Sequence, residues 1–158
     1  MERMKAFLFA TFFYLISLSS FAFAQERQWS LDSNEQNIFL VFGVPDTDDV
    51  GLSFLCKAGQ RDISILFQIN AAAMKPRLHN QLRIKASGQD FTIPAKVTPS
   101  QTPDSFAIEG QMKLDDNIWK ALSASSDVTF IINNQTAIYP LTDANFVGLK
   151  SFCLNKTN

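Results

Sequence analysis

Few residues in this chain have the type and spacing to do chemistry. His79 is the only histidine, so a Ser–His–Asp arrangement would have to use it as the base. No G-x-S-x-G elbow accompanies it, and its neighbours read as polar positions of a strand, which makes it a surface histidine. The loop Pro45-Asp46-Thr47-Asp48-Asp49 gathers three carboxylates, the oxygen donors a hard cation takes. The spaced ligands, central glycine and terminal glutamate of a calcium-binding loop are missing, and aspartate is an ordinary turn residue. Asp46, Asp48 and Asp49 therefore read as a turn, with an acidic surface for a partner as the alternative. No catalytic set, metal site or cofactor is expected.

A more suggestive pattern runs from Arg77 to Lys85. Arg77, His79, Arg83 and Lys85 recur at period two around Gln81, and a strand sends such residues to one side. Lys96 on the next strand can join them. The stripe suits an anionic polymer, a lipid head group or an acidic protein, although Glu109 offsets part of it. Trp29, Phe39, Phe42 and Trp119 have the character of partner anchors but fit core packing better.

The placement of these residues depends on where the chain lives. Met1-Glu2-Arg3-Met4-Lys5 is net positive, Ala6 to Ala24 is unbroken and apolar, and Ala22-Phe23-Ala24 supplies small residues at a cleavage position. These are the features of a secretory signal peptide over residues 1–24. Its removal would leave a single domain, residues 25–158, with no second run long enough to span a bilayer. Losing two cations and one anion with the leader moves the net charge from −1 to −2. A mildly acidic domain is a poor nucleic-acid binder, because phosphates call for a basic excess. Cys56 and Cys153 are the only cysteines. In an oxidising compartment they read as one disulfide closing a loop of roughly 100 residues, stabilising by at most about 4–5 kcal/mol in the chain-entropy description.

The dominant period is two, and the elements are strands. Asn37–Phe42 is one, with a shorter one around Trp29–Leu31. Val50, Leu52, Phe54 and Cys56 share a face and lead through Ala58-Gly59-Gln60 to Ile63, Ile65, Phe67 and Ile69. Leu55 and Leu66 interrupt the polar side of this hairpin. A second hairpin joins 78–85 to 91–97 around Ser87-Gly88-Gln89, with Leu78, Leu82, Ile84, Phe91, Ile93, Ala95 and Val97 inward. Phe106, Ile108 and Met112 mark another strand. Asp115-Asp116 can cap a short helix through Leu122. A third hairpin, 128–132 with 136–141, turns at Asn133-Asn134, residues that tolerate the left-handed backbone tight turns need. Thr142 or Asp143 would start a last helix, with Phe146, Leu149 and Cys153 on one side. The expected fold is mainly β, an antiparallel sandwich or partly open barrel with two short helices. The disulfide would tie the C-terminal helix to the sheet.

The stretch from Gly43 to Cys56 resembles small exported alphaproteobacterial proteins. The order of a strand ending in cysteine, an apolar strand, a late short helix and a hairpin leading to a helix ending in cysteine is similar to periplasmic type VI secretion accessory proteins of the VasI/TagO group. It is also weakly similar to invasion-associated locus B proteins. The resemblance implies an exported accessory protein and transfers no functional residues. The reading is a periplasmic or secreted, non-enzymatic module that contacts an envelope protein or anionic envelope polymer. The alternatives are an inhibitor of a basic hydrolase such as lysozyme, acting through Asp46 and Asp48, then a small-ligand carrier or an enzyme. Oligomeric state is not legible.

Overall fold

The computed structural model describes residues 26–34, 36–70, 80–101, 104–114 and 116–155. Nine strands form one sheet: β1 (Gln28–Ser33), β2 (Asn37–Gly43), β3 (Val50–Lys57), β4 (Asp62–Asn70), β5 (Asn80–Ala86), β6 (Gln89–Pro99), β7 (Ser105–Lys113), β8 (Asp127–Ile132) and β9 (Gln135–Pro140). Helix α1 (Asn117–Ser123) follows β7, and α2 (Phe146–Leu154) follows β9. Their order across the sheet is β1-β2-β3-β4-β7-β6-β5-β8-β9, and every pairing is antiparallel. The fold is the expected mainly β one, realised as a single sheet curled into a half-barrel.

Two tight turns follow from the sequence directly. Ser87 and Gly88, with φ of 49° and 71°, join β5 to β6, and Asn133 and Asn134, at 47° and 64°, join β8 to β9. Two successive positive φ values match the twist of the flanking strands. The inward alternation also holds: Leu52, Phe54, Cys56, Ile63, Ile65, Phe67, Leu82, Ile84, Val128 and Phe130 are all buried. Val50 departs from it, at 37% exposed. Phe42 pairs with Leu52 and Gly43 with Val50, so Gly51 is an extra residue in a β-bulge. The bulge shifts the side-chain phase and turns Val50 out. Gly51 now lies where a Cβ would come within 3.2 Å of the Tyr139 ring.

Curling brings the two edge strands together. The Trp29 indole N–H donates to the Pro140 carbonyl at 2.9 Å, and the Tyr139 hydroxyl donates to the Gln68 carbonyl at 3.5 Å. Inside, Trp29, Phe54, Phe146 and Trp119 form one aromatic chain, and Phe67, Phe130 and Tyr139 form another. Phe42 touches both Trp29 and Tyr139. Of the aromatic residues expected in the core, Trp119 is buried, and Trp29 and Phe42 are partly buried and pack against the core cluster. Phe39 is different. It alternates with buried Ile38 and Leu40 and therefore faces outward, half-buried.

The helices start where the local hydrogen bonds allow. The Asp116 carboxylate accepts from the Lys113 N–H at 3.0 Å, so it closes the preceding turn and makes no cap bond to α1. Asn145, not Thr142 or Asp143, caps α2, accepting from the Gly148 N–H at 2.8 Å. Leu141 must first be buried, and a turn with Asp143 at φ 68° intervenes. Leu149 and Cys153 of α2 are fully buried, and Cys153 is bonded to Cys56 of β3, with Cα atoms 5.8 Å apart. The helix is thus tied to the inner face of the sheet.

Three outcomes test this account. Replacing Cys56 and Cys153 together by alanine should cost about 2–5 kcal/mol in a denaturant titration. Gly43→Ala should cost about 1–3 kcal/mol, because its Cβ would lie 2.6 Å from the Asp49 carbonyl oxygen. Burial raises the Tyr139 hydroxyl above its ordinary pKa, against a smaller lowering by Arg27. A raised folded-state pKa leaves its stability intact below pH of about 10 and loses it as pH climbs beyond. Alkaline melting curves should show that loss, and Tyr139→Phe should reduce it.

Candidate functional site

The outer surface carries one large groove, about 810 Å³, where the sheet comes apart between β6 and β7. β6 pairs with β7 only from Ala95–Gly110 to Pro99–Phe106. Beyond Ala95, β6 keeps only β5, and beyond Gly110, β7 keeps only β4. Residue types explain the break. In an antiparallel ladder the main-chain groups of alternate residues face opposite neighbours. The two-residue turn at Ser87–Gly88 fixes Leu82–Ile93 and Asn80–Ala95 as mutually bonded pairs. Asp90, Thr92 and Pro94 therefore face β7. Pro94 has no N–H to offer, and the ladder stops beside it.

The β7 lip has the matching orientation. The Leu114 N–H donates to the Arg61 carbonyl on the β4 side, so Glu109, Gln111 and Lys113 turn theirs towards β6. Glu109 pairs with Lys96, and the Lys113 N–H is taken by Asp116. Across the gap from Thr92 and Gln111 no described residue pairs with the main chain. Met112 and Ala95 contribute apolar surface to the groove; Asn80, Gln81 and Gln111 contribute amides; Lys96, Lys113, Asp62, Glu109 and Asp116 contribute charges of both signs. The groove can accept main-chain hydrogen bonds, amide contacts and paired charges together.

The surface beside the groove is apolar. Phe39, Val41 and Leu55 are half-buried on the outer face, and Leu66 is 45% exposed. Register places Phe39 beside Leu55, and Val41 and Leu66 on either side of Ser53. Leu66 is opposite Glu109, and Ser64 is opposite Gln111, so the patch runs into the groove's lip. Leu55 and Leu66, which interrupt the sequence alternation, belong to this patch.

The residues singled out by sequence separate. Arg77 and His79 lie outside the described residues. Arg83 and Lys85 are exposed on β5, with Lys85 3.7 Å from the Asp90 carboxylate. Lys96 is in the groove wall, opposite Glu109. Of the acidic loop, Asp49 is bonded by the Arg27 guanidinium, and this hydrogen bond raises the Arg27 pKa. Asp46, at φ 58°, and Asp48 remain exposed. No group of three or more His, Cys, Asp or Glu among the described residues is arranged to hold a metal ion. No described helix is long and apolar enough to cross a membrane. Sequence reading passed over the groove itself, although proline within an otherwise alternating strand is a signal of interrupted pairing.

Comparison with protein families, curated proteins and solved structures finds no match to this chain.

Hydrogen exchange followed residue by residue by NMR tests the open ladder. The Thr92 and Gln111 amides should exchange far faster than those of Lys96 and Glu109. Equal protection of all four would mean that the sheet is closed at this point.

Proposed function

We propose that this protein is an exported, non-enzymatic binding module that holds an extended segment of an envelope protein at the β6–β7 gap. The observation that carries the reading is the interrupted ladder. It leaves two strand lips with main-chain groups turned towards each other's side and a groove between them. An added strand would supply the missing main-chain partners, and side-chain contacts along the groove would select its sequence. The neighbouring patch of Phe39, Val41, Leu55 and Leu66 gives the apolar centre that protein interfaces use, within a polar rim. Export is supported by the leader-like residues 1–24 and by the disulfide, which persists in oxidising compartments.

Affinity capture from an envelope extract, with the chain from residue 25 as bait, tests the reading. One envelope protein should be enriched. Gln111→Trp, which fills the groove, and Leu66→Arg should each reduce its recovery by roughly tenfold or more, with melting temperatures unchanged. On binding, the Thr92 and Gln111 amides should become protected from exchange. Recovery of an anionic polymer that is lost in Arg83→Glu/Lys85→Glu would instead place the contact on the basic stripe. Recovery indifferent to both groove and patch substitutions would sink the proposal.

A further inference from the structure

The two helices meet over a second surface, separate from the groove. Two depressions of about 420 and 320 Å³ adjoin there, and Trp119, Lys120 and Lys150 line both. Lys120 belongs to α1 and Lys150 to α2. Arg61, already engaged in another interaction, lines the smaller one. Every charged residue lining either depression is a cation, in a chain whose net charge is −1. Among the described residues, the carboxylates that precede the two helices are turned to other tasks or positions. Asp116 holds the Lys113 N–H, and Asp143 lies in the turn before α2 and lines neither depression.

The outer face of α2 combines this charge with exposed apolar groups. Phe146, Leu149 and Cys153 face the core. Val147, 77% exposed, and Leu154, 44% exposed, share one flanking stripe of the helix, about 10 Å apart along the axis, with Lys150 between them. Two apolar tips flanking a lysine form the pattern of a helix at a lipid–water boundary. There the tips enter the acyl margin while ammonium groups stay among the phosphates. The disulfide at Cys153 and the cap at Asn145 fix the helix, so this face is presented rigidly. We propose that the α1–α2 end of the molecule is a peripheral membrane-contact face that recognises anionic lipid headgroups through Lys120 and Lys150 and inserts Val147 and Leu154. The opposite charge of the rest of the chain would orient this end towards an anionic bilayer.

Vesicle flotation with the chain from residue 25, which carries every described element, tests this. The probes are phosphatidylcholine vesicles and phosphatidylcholine vesicles containing one third phosphatidylglycerol, at low ionic strength. The protein should float only with the anionic vesicles. Lys120→Glu/Lys150→Glu and Val147→Ser/Leu154→Ser should each lower the floated fraction by roughly tenfold. All four positions are exposed, and unchanged melting curves would show that folding is retained. Arg83→Glu/Lys85→Glu, on the outer face of the sheet, should float like the parent. Equal flotation with neutral vesicles, no flotation, or loss only in the Arg83/Lys85 variant would overturn the proposal. So would binding to soluble polyglutamate without binding to vesicles, which would identify an acidic peptide as the occupant.

Discussion

A curled sheet leaves a concave apolar face that must be shut against water, and the contacts running from Trp29 through Phe54 and Phe146 to Trp119 shut it. Phe54–Phe146 and Trp119–Phe146 lie 5.4 and 5.1 Å apart between ring centroids, both edge to face. Such rings bury large areas and prefer this geometry. One residue of α2 thereby joins the sheet to both helices. The disulfide two turns further along holds the same helix to β3, so packing and covalent constraint act on one element.

The curl has a further consequence at the edges. β1 and β9 are not laddered together, yet exposed edges invite unwanted pairing. The Trp29–Pro140 hydrogen bond and the contact of Tyr139 with Phe42 close one end of that seam. The Arg27–Asp49 bond fastens the start of the first strand nearby. An aspartate from the acidic loop is thus part of the closure, which narrows what that loop can offer a partner.

The outer surface is divided by the same architecture. Strand register mixes charges of both signs around the β6–β7 groove and sets an apolar patch beside its β7 lip. The helical end instead gathers cations and protruding apolar groups. A small protein therefore presents two chemically different faces, one of mixed charge beside an apolar patch and the other cationic with apolar tips.

Short-range features were legible in the residues. The count of two cysteines marked the disulfide, while alternation marked the inner faces of β3 after Val50, β4 and β5, and paired asparagines marked the β8–β9 turn. These depend on period and backbone preference, which are local properties. Helix starts were less legible, since Asp116 serves the preceding turn and Asn145 takes the cap, choices made by where Leu141 and Lys113 are held. Only the tertiary structure decided that β4 pairs with β7, leaving β5 to join β6 and β8. Pairing order depends on contacts between residues distant in sequence, which no local pattern encodes. The groove follows from that order: Pro94 interrupts a ladder only because β7 is the strand beside it.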